Sequence, residues 1–243
     1  MTEKDTLFSD PSTQADDFVF DRRVVRVFPD MIRRSVPGYG LIVPSIALLA
    51  RRYAQPGTRV YDLGCSLGAV SFAILDALED RDVHIVAIDN SPEMIEKLRR
   101  LASERDQAGA QLEIRQADIL DTAIEDASVV VLNFTLQFID PPERAGLLRR
   151  IAAGMRPGGL MILSEKIRFD DPSEQASQQD WHLDFKRAQG YSEMEIARKR
   201  DALERTLRPE TLEAHQSRLA EAGFQRSYCW FRCFNFVSIA ATR

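Results

Sequence analysis

Apolar segments that look like buried strands alternate with helical segments along most of the chain, and this alternation most constrains its fold. The predicted helices of this part lie near 67–80, 91–105, 140–156 and 209–222. The predicted strands span 59–64, 83–89, 112–118, 127–134, 158–166, 226–233 and 235–242. Apolar strands separated by helices are typical of a parallel sheet covered on both faces, whereas the last two strands are close enough to pair antiparallel. The pattern therefore predicts an α/β fold: a mostly parallel seven-stranded sheet with helices on both faces and a C-terminal antiparallel strand pair.

Two further regions are helical but lie outside this alternation. A helical arm of about residues 1–55 precedes the first strand, and a helix-prone insert of about residues 170–208 precedes the last helix. The predicted helices of the arm and the turn between them span 20–34, 41–53 and 35–40. We expect residues 1–243 to form one domain that includes both regions.

The composition favours a soluble protein that acts on a small molecule. The net charge is −5, and the one basic segment, DRRVVRVFPDMIRR, has the spacing of a solvated helix face rather than of a nucleic-acid surface. No apolar run is long enough to span a membrane, and the polar N-terminus lacks a secretory apolar segment. Three cysteines do not make a disulfide framework, and Cys229 and Cys233 lack the neighbours of a metal site. We therefore expect a cytoplasmic protein with no metal, no membrane association and no direct nucleic-acid partner.

The insert contains an arginine that the helical pattern turns toward the protein. A capping-box pattern starts a helix at Ser192. The stripe of this helix that includes Arg200 otherwise holds apolar residues: Ile196, Leu203 and Leu207. An arginine that points inward needs an anion, unless it snorkels back to water. That anion is either a bound ligand or an acidic side chain in a salt bridge.

The segment VYDLGCSLGAVS, at 60–71, contains a glycine turn that allows two interpretations. Its GCSLG, from Gly64 to Gly68, matches the G-x-S-x-G of a hydrolase nucleophile elbow. In such hydrolases the serine lies after several strands and is followed by an acid and a histidine, whereas this turn follows the first strand. No evident loop after a late strand holds any of the three histidines, His84, His182 and His215. The hydrolase interpretation is therefore disfavoured.

A nucleotide-binding turn fits the same segment better. It requires a strand, a glycine turn, a helix and an acid at the end of the next strand, and Asp89 is that acid. Asp89 can accept hydrogen bonds from both ribose hydroxyls; the alternative is a surface carboxylate that caps the following helix. Asp62, before the first glycine, is unfavourable for a pyrophosphate but suits a ligand with positive charge, such as S-adenosylmethionine (SAM).

The sequence DLGCSLG resembles the D/E-x-G-x-G-x-G motif of class I methyltransferases, with Ser66 in place of the middle glycine. The resemblance implies their Rossmann-like fold and SAM as the ligand. In that fold the segment after the third strand contacts adenine, and here it contains Asp118 and Ile119. The segment after the fourth strand faces the methionine and the reacting group, and here it begins at Asn133.

Motifs along nearly the whole chain resemble one family more closely than this superfamily. They are DTLFS, RVFPDMIRRSVPGY, VYDLGCSLGA, AIDNSPEMIE, VVLNFTLQF, LSEK, DFKRAQGYSEMEI and CFNF. The VPGY and NFTLQF segments are the most specific of them. On these motifs the chain is similar to the carboxy-S-adenosyl-L-methionine synthases of bacteria.

The resemblance implies an enzyme that converts SAM and prephenate into carboxy-SAM and phenylpyruvate. Prephenate loses its ring carboxylate and hydroxyl as the ring becomes aromatic; the hydroxide deprotonates the SAM methyl group, and the ylide captures the carbon dioxide. A separate transferase then uses carboxy-SAM to place a carboxymethyl group on 5-hydroxyuridine at the tRNA wobble position. As in the family, a homodimer is expected, with residues 20–55 and the insert contributing.

The resemblance also assigns residues to the site. Arg200 falls where the family binds the new carboxylate, so it is the expected catalytic residue. A substrate that brings its own base explains why the sequence shows no evident one. The expected SAM-binding residues are Tyr39, Gly64, Cys65, Ser66, Asp89, Asn90, Asp118, Ile119, Asn133 and Arg200.

Two other functions stay open at this point. An ordinary SAM-dependent methyltransferase of a small molecule or tRNA would release S-adenosylhomocysteine and would not need prephenate. A non-catalytic SAM-binding subunit would turn over nothing alone and would act only together with a tRNA-modifying partner.

Overall fold

The structure, a computed structural model, describes residues 4–7, 21–105, 111–204 and 206–243. The helices are α1 (Arg22–Ser35), α2 (Tyr39–Tyr53), α3 (Ala69–Ala77), α4 (Pro92–Ser103), α5 (Pro141–Gly154), α6 (Pro172–Ala188), α7 (Glu193–Glu204) and α8 (Leu212–Glu221). The strands are β1 (Thr58–Leu63), β2 (Val83–Asp89), β3 (Leu112–Gln116), β4 (Ala127–Asn133), β5 (Met155–Lys166), β6 (Arg226–Cys233) and β7 (Phe236–Thr242). None of the helices within the described ranges has the length and apolar character to cross a membrane.

The seven strands of the described residues form one sheet in the order β3-β2-β1-β4-β5-β7-β6. The first five strands run parallel, whereas β7 pairs antiparallel with both β5 and β6. This arrangement confirms the predicted mostly parallel sheet and its C-terminal antiparallel pair. The strand order reverses between β1 and β4, and ligands of such sheets bind in the crevice at the carboxyl ends of the strands beside the reversal.

Apolar layers cover both faces of the sheet. In one layer Ile46 of α2 packs with Val60 of β1. In the other layer Leu148 of α5 and Leu219 of α8 pack with Tyr61. Adjacent residues of β1 therefore face different layers, as side chains along a strand do. Burial on both faces explains why the central strands are continuous apolar runs.

One boundary differs from the sequence-based prediction in a way that matters for the site. The turn predicted at 35–40 ends at Gly38, whose φ is 77°, and α2 begins at Tyr39 instead of at 41. Tyr39 therefore belongs to the first turn of a helix, not to a loop. The predicted insert contains the two helices α6 and α7. The interpretation of arm, sheet and insert as one domain stays a prediction.

Residues 4–7 are anchored to the rest of the protein by Asp5, which is buried together with Lys199 of α7. The Lys199 Nζ lies 3.1 Å from Asp5 Oδ2 and donates to Ser35 Oγ at 2.8 Å. The Tyr191 hydroxyl donates to the same carboxylate at 2.5 Å, and Arg34 Nη1 donates to the Asp5 carbonyl oxygen at 3.2 Å. These buried polar contacts join residues 4–7, α1 and α7, so they contribute to the position of α7.

We expect Lys199→Met to lower the free energy of unfolding by about 3–5 kcal/mol, because it leaves the Asp5 carboxylate buried without its cationic partner. Denaturant unfolding of the purified variant measures the change. The double variant Asp5→Leu/Lys199→Met removes both charges and should recover much of this loss. A double variant as unstable as the sum of the two single variants would show that the two charges are not coupled.

Candidate functional site

A cavity of about 1040 Å³ lies at the carboxyl ends of β1, β2 and β4, and residues of α1, α6 and α7 also line it. The parallel register sets these strand ends side by side, since Leu63 pairs with Ile88 and Asp62 pairs with Val131. The cavity lining contains all ten of the residues predicted for the site: Tyr39, Gly64, Cys65, Ser66, Asp89, Asn90, Asp118, Ile119, Asn133 and Arg200.

The glycine turn after β1 is held by β2 and by the loop that follows β4. The N–H groups of Gly64 and Cys65 both donate to the Ile88 carbonyl oxygen, at 2.8 and 2.9 Å. Gly64 has a φ of 79°, a left-handed conformation that glycine adopts without strain. A Cβ on Gly64 would lie 2.4 Å from the Thr135 side chain. The close packing against Thr135 therefore requires glycine, and the backbone of the turn lines the cavity.

Ser66 is placed as part of this turn and not as a nucleophile. Its N–H donates to Asp89 Oδ2 at 2.8 Å, and its hydroxyl donates to the Met94 sulfur at 3.4 Å. A nucleophilic serine needs a hydrogen bond to a general base. The contacts of Ser66 therefore do not support the hydrolase interpretation.

Asp89, the last residue of β2, has a carboxylate that already accepts hydrogen bonds from the protein backbone. Its two oxygens accept hydrogen bonds from the N–H groups of Ser66, at 2.8 Å, and Ser91, at 2.9 Å. Burial raises the pKa of Asp89, and these two hydrogen bonds partly offset that effect. The N-cap of α4 is Ser91, so the alternative of Asp89 as the helix cap is wrong. Each carboxylate oxygen can still accept another hydrogen bond, as two neighbouring hydroxyl groups would require.

Asp62 supplies a second and more deeply buried carboxylate. Its Oδ2 accepts a hydrogen bond from the Ser71 hydroxyl at 2.5 Å. Burial raises the pKa of Asp62 to about 6; the bonds to Ser71 lower it, and the charge of Asp89 raises it further. A cation nearby would favour the ionised form of such a group. This part of the cavity therefore suits a ligand group with positive charge.

The segment after β3 adds an apolar and a polar contact to the cavity. Ile119 is buried and Asp118 is exposed. The Asp118 Oδ1 accepts a hydrogen bond from the Leu120 N–H at 2.8 Å, which orders this short loop. An apolar wall next to a carboxylate is suited to a flat heterocycle that carries an N–H donor.

An aromatic pair and a buried amide meet where β4 ends. The Tyr39 and Phe134 ring centroids are 6.4 Å apart, and Phe134 adopts a φ of 62°, which is uncommon for a residue with a side chain. Burial and the charge of Asp62 raise the pKa of Tyr39, so its hydroxyl stays protonated and can donate. Asn133 Oδ1 is buried and has no hydrogen-bond partner among the described residues. It is therefore an acceptor that a ligand could satisfy.

Cationic side chains line another part of the cavity, and the sequence analysis identified only one of them. Those of β5, α6 and α7 are Lys166, Lys186, Lys199 and Arg200. Arg200 lines the cavity, as a residue that faces the protein would, but its side chain is 47% exposed, and the buried cation of α7 is Lys199. Positions three and four residues after Ile196 both lie near its helix face, so spacing alone did not distinguish them. Leu207 also lines the cavity, and the side chain of Leu203 lies outside the described residues.

The cavity also contains a histidine, which the sequence analysis did not assign to the site. His182 of α6 is buried, and its Nε2 lies 2.9 Å from the Ser35 carbonyl oxygen. Because a carbonyl only accepts, Nε2 carries the proton. Burial, with the charges of Lys186 and Lys166, lowers the pKa of His182 to about 3. His182 is therefore neutral at physiological pH and is a weak base.

Gly64→Ala should destabilise the protein more than Gly57→Ala, which is its matched control. Gly57 also has a positive φ, 70°, but nothing lies within 4 Å of a Cβ at that position. Gly57→Ala therefore adds only the strain of a left-handed residue, about 1–2 kcal/mol. Gly64→Ala adds the overlap with Thr135 as well. Denaturant unfolding compares the two variants, and equal losses would contradict the packing of the turn against Thr135.

Comparison with known proteins agrees with the fold. The family described as "Methyltransferase domain" matches residues 60–159. The solved structure of an O-methyltransferase family protein from Burkholderia thailandensis superposes with a TM-score of 0.65 at 19% identity, covering 92% of this chain and 60% of that one. This match concerns the fold alone, and it confirms the predicted Rossmann-like class I methyltransferase fold.

Relatives of higher identity match along the full length. The carboxy-S-adenosyl-L-methionine synthase of Geobacter sp. (strain M21) is 54% identical over 242 residues, which are 99% of each chain. The protein of that name from Escherichia fergusonii is 50% identical over 243 residues, 100% of this chain and 98% of the other. These identities confirm the resemblance drawn from the motifs. The chain belongs to the carboxy-S-adenosyl-L-methionine synthase family of enzymes.

Proposed function

We propose that this protein is a carboxy-S-adenosyl-L-methionine synthase, which converts SAM and prephenate into carboxy-SAM and phenylpyruvate. The observation that carries the proposal is one cavity that contains both a carboxylate part and a cationic part. Asp62 and Asp89 suit a nucleoside with positive charge, whereas Lys186 and Arg200 suit an acid. Methyl transfer to a neutral acceptor would not require the second set. Family membership supports the same reaction.

SAM fits the carboxylate part of the cavity. Asp89 accepts hydrogen bonds from the two ribose hydroxyls, and the buried Ile119 packs against adenine while Asp118 accepts from its amino group. Asp62 attracts the positive charge of the methionine portion. The unpartnered Asn133 Oδ1 offers a further acceptor where the ammonium or sulfonium lies. These roles use each group in the protonation state that its surroundings favour once a cation is bound.

Prephenate brings both the carbon dioxide and the base that the reaction requires. When its ring becomes aromatic, the ring carboxylate leaves as carbon dioxide, the hydroxyl leaves as hydroxide, and phenylpyruvate remains. The hydroxide takes a proton from the SAM methyl group and becomes water. The resulting carbanion, stabilised by the adjacent sulfonium, forms a carbon–carbon bond with the carbon dioxide. His182, whose pKa is lowered to about 3, is too weak a base to take this proton.

In this reaction Arg200 binds the carboxylate of the product. The sequence analysis left open whether the anion next to Arg200 is a ligand or an acidic side chain. In the structure, Arg200 Nε lies 3.7 Å from Asp201 Oδ1, so an acidic side chain is close to it. Both side chains are about half exposed, and ion pairs of that kind contribute little. A carboxylate bound in the cavity can therefore compete with Asp201 for Arg200.

The cellular role that we propose is supply of carboxy-SAM to a separate tRNA carboxymethyltransferase. The net charge of −5 suits a protein that leaves the wobble uridine to that partner. Two exposed leucines of α2, Leu41 and Leu48, fit a homodimer contact in the predicted region. Free cysteines at 65, 229 and 233 fit a reducing, cytoplasmic location.

An ordinary methyltransferase is the second candidate, because the matching domain is a methyltransferase domain. It would use the same carboxylate part of the cavity for SAM. It would release S-adenosylhomocysteine and would act without prephenate.

Mass spectrometry of the small molecules after incubation with SAM, with and without prephenate, tests the reaction. We expect a species heavier than SAM by one carbon dioxide, formed only with prephenate. Arg200→Leu should lose this product but still bind SAM in calorimetry. The matched control is Arg198→Leu, which removes the same charge from α7 at a position outside the cavity lining. Formation of S-adenosylhomocysteine, or normal carboxy-SAM production by Arg200→Leu, would contradict the proposal.

Asp89→Ala should weaken SAM binding by about 1.5–3 kcal/mol, because hydrogen bonds from the ribose to a charged acceptor are lost. Isothermal titration calorimetry measures the Kd directly. Asp121→Ala, at an exposed position outside the cavity lining, is the control and should bind SAM normally. Unchanged affinity in Asp89→Ala would reject the ribose role of this carboxylate.

A further inference from the structure

Lys186 is a buried cation of the cavity that no carboxylate neutralises. Only 6% of its surface is exposed, and it lines the cavity from α6. The charged groups that act on it are Lys199, Lys166 and Arg200, which are all cations. In the part of the chain that the structure describes, no acidic side chain pairs with Lys186. Lys199, by contrast, has Asp5 as its partner.

The surroundings of Lys186 are unfavourable for its charged form. Burial and the neighbouring positive charges lower the pKa of Lys186 to about 7. Apolar residues in place of buried charges often make a protein more stable, so stability alone does not account for a lysine here. An anion in the cavity would restore the protonated form, and perturbed groups of this kind are concentrated at functional sites.

Rigid elements hold this part of the cavity. One helical turn before Lys186, the His182 ring lies 4.9 Å from the Phe236 ring and its Nε2 donates to the backbone of α1. Lys166 ends β5, and its N–H donates to Gln137 Oε1 at 3.0 Å. Gln137 is itself buried and lines the cavity. The two lysines are therefore fixed by a helix and a strand end, as a binding subsite requires.

We propose that Lys186, with Lys166 nearby, binds the carboxylate of prephenate that remains on phenylpyruvate, whereas Arg200 serves the carboxylate that is transferred. This assignment rests on the proposed function. The two carboxylates of prephenate have different fates, since the ring carboxylate leaves as carbon dioxide and the side-chain carboxylate stays charged throughout. A charge that persists from substrate to product needs a cation of its own. Arg200 therefore binds the carboxylate that is transferred, and Lys186 binds the carboxylate that remains on phenylpyruvate.

Lys186→Met tests the subsite because it removes the charge and keeps the length of the side chain. It should raise the KM for prephenate and the inhibition constant of phenylpyruvate roughly tenfold to a hundredfold. The Kd values of SAM and carboxy-SAM should stay unchanged. Arg200→Leu should show the converse: weaker binding of carboxy-SAM with normal binding of phenylpyruvate. Lys97→Met, on α4 outside the cavity lining, is the control and should keep normal activity.

The pH dependence separates the charge of Lys186 from its packing. With a pKa of about 7 in the free protein, Lys186 loses its proton as the pH rises above that value, so kcat/KM for prephenate should fall. His182, whose pKa is lowered to about 3, stays neutral over this range, and Arg200 and Lys166 also face the group. Lys199, whose pKa is lowered to about 8, titrates nearby. The test is therefore to compare the pH profile of kcat/KM of wild type with that of Lys186→Arg. In this variant kcat/KM should fall less at high pH, because the guanidinium keeps its charge.

Binding of phenylpyruvate to the SAM-loaded protein, measured by calorimetry, requires no turnover. If wild type binds it and Lys186→Met does not, the subsite stands even when no carboxy-SAM forms, and the proposed function then fails separately. Unchanged KM and inhibition constants in Lys186→Met would overturn the subsite. An equal loss of SAM affinity would also overturn it, because that result indicates general distortion. Thermal unfolding should show Lys186→Met to be at least as stable as wild type.

Discussion

The parallel register of β1, β2 and β4 is the constraint on which the rest of the site depends. It brings three strand ends to one edge of the sheet, where the Gly64 turn, Asp89 and Asn133 follow. Because the strand order reverses between β1 and β4, a crevice opens at this edge. The carboxylate of Asp89 then ties Ser66 in the turn to Ser91 at the start of α4. One side chain therefore both holds the turn and faces the cavity.

Some ionisable groups that line the cavity are buried, and burial disfavours their charged forms. Burial raises the pKa of Asp62 to about 6 and lowers the pKa of Lys186 to about 7, so each group is poised close to losing its charge at physiological pH. A cationic nucleoside would stabilise the ionised carboxylates, and a dianionic acid would stabilise the protonated lysine. Two ligands of opposite charge in one cavity would also attract each other. The electrostatics of the cavity therefore suit the proposed reaction between a sulfonium compound and an acid.

The two parts of the cavity come from different parts of the chain. The carboxylate part, apart from Tyr39, lies within residues 60–159, which match the methyltransferase domain. The cations Lys166, Lys186 and Arg200 all come after that range. The common fold therefore supplies the surface that we assign to SAM, and α6 and α7 add the surface that we assign to the acid. The buried pair of Asp5 and Lys199 connects α7 to the N-terminal segment.

The sequence by itself determined the sheet, the glycine turn and Asp89, because apolar periodicity and backbone turns are set over short stretches of chain. Resemblance of motifs to a family supplied Arg200, and all ten predicted residues line the cavity. Only the tertiary structure decided that Lys199 is buried in place of Arg200, since its partner Asp5 lies 194 residues away along the chain. It also revealed Lys186 and His182, which in the sequence are two polar residues of a helical segment. Burial and neighbouring charge arise when α6 and α7 pack over the end of the sheet, and no local pattern contains that information.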